Sequence, residues 1–315
     1  MLETTPKLYC KLASIILRSC MVLGATVFIF VRPAPARDYP FYILEMGESE
    51  SGYALLVDKK SQKVELYRNS SDGPRLVEQY RCTTGRNNKG TKNQEGDKKT
   101  PNGVYFFHGI LEDEQLPEKY GIRAFTMDYP NAYDRLDNKT GSGIWLHGVD
   151  DETRVEISYD TEGCVVVTNN DIMELSRYIK LYETPIIVDD SVLTLDGKAF
   201  ETERAAIAAF TENWVTAWRN KEIDSYMDCY DESFRGSGRN KAQQRRHKAR
   251  LNKLYKKIEI DLTNLRIYQY HHYAVVSFIQ DYRSDRFRSV GQKRLYLART
   301  DDGCKIFAER FRRLQ

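Results

Sequence analysis

Short apolar runs separated by polar residues dominate residues 53–188, and this alternation is typical of β-strands rather than amphipathic helices. The predicted strands cover residues 53–58, 63–67, 77–82, 104–109, 143–147, 163–167 and 185–188. One helix is predicted from Asn170 or Asp171, either of which has a capping side chain, to Leu181. Residues 83–100, rich in Gly, Asn and Lys, and residues 129–135 are predicted to be loops. This part of the chain is therefore predicted to be mainly β.

The pattern changes after residue 200 to a long helical repeat. Apolar residues recur at near-helical spacing in residues 201–221, and shorter helices are predicted at residues 223–230 and 241–257. Alternating strands follow at residues 258–267, 272–281, 293–299 and 304–311. Helices followed by antiparallel strands are typical of an α+β domain. We predict a domain boundary within residues 189–202, with domains at 37–195 and 196–315.

Residues 1–36 have the pattern of an export signal. Lys7, Lys11 and Arg18 precede an apolar run at residues 19–31, and Ala34 and Ala36 offer small side chains for cleavage. The run is shorter than the roughly 20 residues that a membrane-spanning helix needs. Pro35 is unfavourable for cleavage, so an uncleaved N-terminal anchor remains the alternative. Either interpretation places the body of the protein outside the cytoplasm, in the periplasm or cell envelope.

Composition supports two globular modules without a metal or other cofactor. The chain has 315 residues, 41% of them hydrophobic and 30% charged, which allows two domains with real cores. Residues 37–200 hold 20 basic and 29 acidic side chains, whereas residues 201–315 hold 24 and 15. This opposite charge favours separate modules with complementary faces. The four cysteines beyond residue 36 have neither the spacing of a zinc site nor the density of a disulfide framework. At least one thiol is therefore expected to be free for chemistry.

The strongest candidate chemistry is a cysteine–histidine pair. His147 ends one predicted strand, and Cys164 is the second residue of another, after Gly163. A thiol attacks acyl carbons as a thiolate, so it needs a base that takes its proton and returns it to the leaving group. Gly163 permits a tight bend that turns backbone N–H groups toward an oxyanion. The spacing of the two residues alone would be weak evidence.

The surrounding motifs strengthen this prediction. Thr100-Pro-Asn-Gly-Val-Tyr105, Tyr129-Pro-Asn131, Gly143-Ile-Trp-Leu-His-Gly148 and Thr161-Glu-Gly-Cys164 together resemble the L,D-transpeptidase (YkuD) family over residues 52–188. The likeness is greatest to the branch that includes the cell-shape L,D-carboxypeptidases of helical bacteria. The resemblance implies a β-sandwich-like fold, an acyl-enzyme on Cys164 and His147 as its base. It also implies that the Gly148 carbonyl orients the imidazole.

One position departs from the family motif. Most members have Ser/Thr-x-Gly-Cys-x-Arg, and Val166 stands where the arginine would be. Donor recognition and the choice between cross-linking and hydrolysis are therefore open. The predicted substrate-binding residues are Gly163, Thr161, Tyr129, Arg86, Arg135 and Arg154, although for each arginine the residue type alone favours an ordinary surface residue.

The second module resembles the nuclear transport factor 2-like (NTF2-like) fold, which implies a cone with a pocket. The likeness rests on element order and on Trp214, Trp218 and Phe234. A basic face at residues 235–250 is either a solvated helix or a contact with anionic wall polymer, lipid head groups or the acidic module. No nucleic-acid partner is predicted for an exported chain.

Several conspicuous residues receive structural interpretations. His108 repeats the His-Gly dipeptide on a strand where the family has no catalytic group. His271 and His272 are adjacent strand residues that point to opposite faces, which disfavours a metal site. Cys82, Cys229 and Cys304 are interpreted as small buried apolar residues.

The sequence thus predicts a peptidoglycan-modifying cysteine enzyme that acts on stem tetrapeptides through a Cys164 acyl-enzyme, with roles in wall organisation and cell shape. An L,D-carboxypeptidase that trims tetrapeptide to tripeptide is the first alternative. A catalytically silent wall-binding protein is the second.

Overall fold

The structure, a computed structural model, describes residues 37–48, 52–300 and 303–314. The predicted export signal at residues 1–36 lies outside these residues. None of the helices described is both long enough and apolar enough to cross a membrane.

The first part of the described chain is mainly β, as predicted. Its elements are β1 (Tyr39–Pro40), β2 (Ile43–Met46), β3 (Tyr53–Asp58), β4 (Lys63–Arg68), β5 (Arg75–Arg81), β6 (Gly103–Glu112), β7 (Arg123–Met127), α1 (Ala132–Leu136), β8 (Trp145–His147), β9 (Val165–Val166), α2 (Asn169–Leu175), β10 (Pro185–Asp189) and β11 (Thr194–Leu195). Short 3₁₀ turns lie at Asp113–Gln115, Glu118–Tyr120 and Glu152–Glu156.

Eight of these strands form one sheet that curls around its own core. Their order is β5-β4-β3-β10-β6-β7-β8-β9. Alternate residues from early strands, such as Leu55, and from late strands, such as Leu146 and Val165, share one hydrophobic cluster. Reciprocal backbone hydrogen bonds of 2.9 Å between Thr83 and Val166 join the chain after β5 to β9. We call the face toward this core the inner face and the opposite one the outer face.

The second part is α+β, also as predicted. Its elements are α3 (Gly197–Arg219), α4 (Ile223–Asp228), β12 (Tyr230–Gly236), β13 (Arg239–Asn240), α5 (Lys241–Leu254), β14 (Ile258–Tyr270), β15 (Tyr273–Ser284), β16 (Arg288–Thr300) and β17 (Gly303–Arg313). Helix α3 begins at the cap of Asp196, whose side chain accepts a hydrogen bond from the Ala199 N–H. Trp214 and Trp218 of α3 pack against one face of the seven-stranded, mostly antiparallel sheet, and this contact forms a second core.

The two domains pack together through a third hydrophobic cluster. Leu56, Phe106 and Ile187 on the outer face of the first sheet share it with Tyr268 and Tyr296 of the second sheet. Because the contact buries large apolar side chains from both sheets, residues 37–315 form one compact unit.

The domain assignment needs one correction at its start. Residues 37–195 were assigned to the first domain, but β2 pairs with β14 and is the edge strand of the second sheet. β1 pairs with β11. The hydrophobic run at Tyr42–Leu44 is buried on both faces, and no local pattern reveals which sheet such a run joins.

The predicted loop at residues 129–135 is also wrong in part, because it contains α1. Asn131 forms a capping box with Asp134: the Asn131 side chain accepts from the Asp134 N–H, and the Asp134 carboxylate accepts from the Asn131 N–H. Helix α2 ends at Leu175 rather than Leu181. Strands β1, β2, β7, β11, β12 and β13 were not predicted.

Candidate active site

Neighbouring strands bring Cys164 and His147 to the same face of the sheet. Strand β8 pairs in parallel with β9, with Leu146 opposite Val165 and His147 opposite Val166. Leu146 and Val165 point into the inner core, so His147 and Cys164, one residue away on each strand, face outward. Cys164 packs against the small outer cluster that contains Val166. The two side chains therefore lie diagonally across from each other on the same face of two adjacent strands.

A backbone carbonyl fixes the orientation of the imidazole. His147 Nδ1 lies 2.6 Å from the Gly148 carbonyl oxygen, and an oxygen acceptor requires that this nitrogen carry the proton. Nε2 is then the unprotonated nitrogen and has the lone pair that a base needs. The role of Gly148 remains a prediction, but the contact on which it depends is present.

Asn169, at the start of α2, holds the segment that carries Gly148. Its side-chain oxygen accepts hydrogen bonds from the N–H groups of Val149 and Ile122, at 3.2 and 3.3 Å. Its side-chain nitrogen donates to the Val149 carbonyl at 2.8 Å. One side chain thus connects the residue after Gly148 with the start of β7.

An aromatic wall shields His147 from water. The Tyr120 ring meets the imidazole edge to face at 4.9 Å and the Trp145 indole at the same centroid distance. His147 is only 4% exposed. Burial lowers the pKa of His147 to about 4, although the carbonyls of Gly148 and Tyr120 favour the protonated ring. At neutral pH the imidazole is therefore uncharged.

A tight turn presents the thiol. Gly163 has a φ of +128°, and a Cβ there would lie 2.8 Å from the Lys99 carbonyl oxygen. Thr161 Oγ1 accepts from the Gly163 N–H at 3.0 Å and donates to the Cys164 carbonyl at 2.8 Å. Because Thr161 is 4% exposed and uses its hydroxyl inside the turn, its position suits shaping of the loop better than direct substrate contact.

The sulfur is held as a neutral thiol at rest. Cys164 is partly exposed, and its Sγ lies 3.5 Å from the Gly143 carbonyl. Burial raises the pKa of Cys164 to about 11, although the Trp145 backbone amide and Lys119 lower it. The site thus holds a neutral thiol beside a neutral imidazole, an arrangement suited to general-base activation during attack.

The three predicted substrate-binding arginines lie in different surroundings. Arg154 binds the carboxylates of Asp150 and Asp160, at 2.9 and 3.1 Å. Arg86 forms an exposed ion pair with Glu162 at 3.1 Å. Arg135 is exposed at the end of α1, and the described residues provide no side-chain partner for it.

Tyr129 lies between the core and a cavity. Its ring is 5% exposed and packs in the inner core, and its hydroxyl donates to the Thr140 carbonyl at 3.1 Å. It also lines a cavity between the two domains. Its hydroxyl is thus engaged within the chain, and its role in substrate binding remains a prediction.

The remaining singled-out residues have partners of their own. His108 Nε2 lies 3.1 Å from the Met127 carbonyl, and His271 Nε2 lies 2.8 Å from an Asp189 oxygen. Cys82 is fully buried, whereas Cys229 and Cys304 are half-buried. Within the described residues, no group of three or more His, Cys, Asp or Glu side chains could hold a metal ion.

Sequence reasoning missed Tyr120, Lys119 and Asn169. Tyr120 and Lys119 belong to a short 3₁₀ turn in a segment without hydrophobic periodicity, so no local signal places them beside His147. Asn169 carried one available signal, because it adjoins the predicted start of a helix. The contact with the Gly148 segment was not predictable from that signal.

Two family models match the chain. The L,D-transpeptidase catalytic domain (YkuD) matches residues 52–188, and the Cds6 C-terminal NTF2-like domain matches residues 206–310. These matches confirm the resemblances predicted for both parts of the chain.

Solved structures resemble the chain over nearly its whole length. Bd1075 of Bdellovibrio bacteriovorus is 33% identical, with a TM-score of 0.78 over 89% of this chain and 99% of that one. The helical cell shape determining protein Pgp2 of Campylobacter jejuni is 24% identical, with a TM-score of 0.66 over 87% of this chain and 94% of that one. The likeness to Pgp2 shows a shared fold.

A curated relative matches part of the chain. YafK of Escherichia coli (strain K12), which carries the name of an L,D-transpeptidase, is 26% identical over 125 residues. This alignment covers 40% of the present chain and 46% of YafK. The chain therefore spans about half the length of the curated relatives it matches.

Proposed function

The chain belongs to the L,D-transpeptidase (YkuD) family and carries a Cds6-type NTF2-like domain, and from this membership we propose that it is a peptidoglycan-modifying cysteine enzyme. It acts in the cell envelope on stem tetrapeptides and contributes to wall organisation and cell shape. The observation that carries the proposal is the placement of Cys164 and His147 on one face of adjacent strands, with Nδ1 of His147 bound to the Gly148 carbonyl.

In the proposed mechanism, His147 Nε2 takes the proton of the Cys164 thiol as the sulfur attacks the carbonyl of the L,D bond. This bond joins the third residue of the stem, a diamino acid, to the terminal D-alanine. The tetrahedral oxyanion is stabilised by backbone N–H groups near Gly163 and Cys164. The C–N bond then breaks, D-alanine leaves with the proton from His147, and a thioester remains on Cys164.

The second half-reaction decides the product. An amine from another stem gives a cross-link, whereas water gives a tripeptide and the free enzyme; in both cases His147 removes the acceptor's proton and the thiolate leaves. Val166 occupies the position of the family arginine, is 1% exposed and packs with Val149 and Val155. Without a guanidinium beside the nucleophile, this position binds a second charged stem less strongly than an arginine would. Water then competes better as the acceptor, which favours hydrolysis as the alternative outcome.

The product assay tests the proposal. The protein without residues 1–36 is incubated with disaccharide tetrapeptide, with and without an amine acceptor, and products are separated by mass. Tripeptide alone identifies an L,D-carboxypeptidase, whereas a dimer identifies an L,D-transpeptidase. Cys164→Ala should abolish both products; intact activity in this variant would refute the mechanism.

Acylation separates an enzyme from a silent wall-binding protein. A carbapenem mimics the acyl donor, so His147 should assist its attack by Cys164. Iodoacetamide requires preformed thiolate, which is scarce for a thiol with a raised pKa. We expect fast, His147-dependent carbapenem acylation together with slow alkylation at pH 7. Slow reaction with both reagents would favour the silent protein.

A further inference from the structure

A cavity of about 460 Å³ lies where the two domains meet. Four arginines line it: Arg135 of α1, Arg294 of β16, and Arg310 and Arg312 of β17. Asp128 is the single carboxylate residue among its lining residues, and the walls are aromatic. We call this cavity the interdomain cleft. Its lining carries a surplus of positive charge, which favours an anionic ligand.

Arg294 is built into the cleft as a fixed guanidinium. It is 8% exposed, and its guanidinium carbon lies 3.4 Å from the centre of the Phe106 ring. One terminal nitrogen is 3.4 Å from Asp128 Oδ2, and the other donates to the Tyr182 carbonyl at 3.0 Å. Its Nε–H has no hydrogen-bond partner within the described parts of the chain. Because this atom is itself closed to solvent, Arg294 contributes fixed positive charge to the cleft rather than a free donor.

Two further arginines offer unused donors. Arg312 lies over the Tyr182 ring at 4.4 Å and donates to Gln292 at 3.2 Å, which leaves other N–H groups of its guanidinium available. Arg310 is exposed, and its side chain has no ion pair or hydrogen bond within the residues that the structure describes. Arg310 and Arg135 also line an adjoining cavity of about 610 Å³, so the positive surface continues beyond the cleft.

The cleft opens on the same outer face of the first sheet as the nucleophile. His108 of β6, which lines the cleft, lies beside Thr126 of β7, with His108 Nδ1 3.5 Å from Thr126 Oγ1. Thr126 is paired with Trp145 of β8, and β9, which Cys164 immediately precedes, is next in the sheet order. Three strand spacings thus separate His108 from Cys164, a distance of about 14 Å measured across the strands of the sheet.

This distance determines which part of a substrate can reach the cleft while another part occupies Cys164. Three stem residues precede the attacked bond, and in an extended chain they span about 10 Å. They fall short of the cleft when the bond lies at Cys164. A neighbouring stem on the same glycan strand has no such limit.

We propose that the interdomain cleft binds the carboxylates of a neighbouring acidic stem peptide while the first stem occupies Cys164. The inference rests on the proposed function and deepens it, because it makes the enzyme selective for substrates with more than one stem. Guanidinium groups bind carboxylates through paired N–H donors, and the rings of Phe106, Tyr182 and Phe311 provide apolar walls for the peptide.

Arg310 is a suitable test position because its exposed side chain has no ion pair or hydrogen bond within the described residues. KM and kcat are measured for Arg310→Gln and Arg310→Glu with a tetrasaccharide that carries two tetrapeptides and with the single-stem disaccharide tetrapeptide. We expect the ratio of the two-stem KM to the single-stem KM to rise about fivefold for Gln and more than tenfold for Glu. The same substitutions at Arg246, an exposed arginine of α5, provide the matched control. An unchanged ratio, or an equal rise for the Arg246 variants, would overturn the inference.

A binding experiment separates this inference from the proposed function. Cys164→Ala is titrated calorimetrically with a two-stem tetrasaccharide whose stems are tripeptides, and with the same compound after amidation of its carboxylates. Binding that requires both free carboxylates and Arg310 supports the cleft even if the wild-type protein turns over no stem peptide. Equal binding of the free and amidated compounds would refute the cleft, whatever the outcome of the product assay.

Discussion

At the scale of single residues, the site is a neutral pair whose state is set by burial. Desolvation disfavours the charged form of both groups, so the pKa of His147 falls to about 4 and that of Cys164 rises to about 11. A resting thiolate–imidazolium pair would need the opposite shifts. Proton transfer is therefore expected to accompany attack on the substrate rather than precede it.

The first prediction concerns the pH dependence of catalysis. His147 must be neutral to act as a base, and its lowered pKa keeps it neutral at every pH well above 4. We expect kcat/KM for disaccharide tetrapeptide to be nearly constant from pH 6 to 9 and to fall as the pH drops toward about 4. An inflection near the ordinary histidine pKa of about 6.5 would contradict this account.

The second prediction concerns Tyr120, a positioning residue. Removing its ring with Tyr120→Ala admits water to the imidazole, so the acid inflection of the pH profile should move upward from about 4 toward about 6.5. Tyr120→Phe retains the ring and should keep the wild-type profile. If both variants only lose stability and leave the inflection unchanged, Tyr120 does not act through the imidazole.

At the scale of elements, the turn before β9 positions Cys164, the proposed nucleophile. The positive φ of Gly163 and the two hydrogen bonds of Thr161 define the path of the chain into Cys164. A residue with a side chain at such a φ costs about 1–3 kcal/mol, and the Lys99 backbone leaves no room for a Cβ.

The third prediction follows from this geometry. Gly163→Ala should lower the free energy of unfolding by at least about 1–3 kcal/mol and reduce carbapenem acylation of Cys164 more than tenfold, because the thiol moves. Thr161→Ala should reduce acylation, while Thr161→Ser keeps the hydroxyl and should restore most of it. Denaturant unfolding and acylation kinetics provide the two measurements. Wild-type acylation in Gly163→Ala would refute a positioning role for the turn.

The sequence predicted helices and strands correctly where the hydrophobic pattern was long and regular. It failed where the pattern was short or continued past the true end of the element. The strands around residues 53–67 and 258–311 have clear alternation, and the structure confirms them. β7 was not predicted because polar and apolar residues do not alternate regularly in Arg123–Met127, where Ala124 and Phe125 are adjacent apolar residues. For α2, the pattern continued to Leu181, but the helix ends at Leu175 and the chain turns toward β10.

At the scale of the whole molecule, the two domains share a core. Tyr273 of β15 reaches across the interface, and its hydroxyl accepts a hydrogen bond from the buried Val104 N–H at 2.8 Å. Its ring stacks on Tyr133 at 4.3 Å. On the other side of the interface, Asp189 accepts from the hydroxyls of Tyr42 and Tyr270. Polar and apolar contacts therefore bind the domains together.

The fourth prediction is cooperative unfolding of both domains. Calorimetry of residues 37–315 should show one thermal transition, because separation would expose the shared cluster. Tyr273→Phe should lower the free energy of unfolding by about 1–3 kcal/mol, since it leaves the Val104 N–H buried without an acceptor. The control is Tyr159→Phe, because the Tyr159 hydroxyl has no hydrogen bond within the described residues. Two separate transitions in the wild type would contradict a shared core.

The sequence by itself determined the two fold classes, the candidate nucleophile and base, and the family. These depend on local patterning and on motifs whose residue types are dictated by chemistry. Only the tertiary structure decided which face of the sheet carries Cys164, how deeply His147 is buried, and that β2 joins the second sheet. It also brought Arg294 and Arg310 of one domain beside Arg135 of the other. Such features depend on contacts between residues far apart in sequence, and no local periodicity records them.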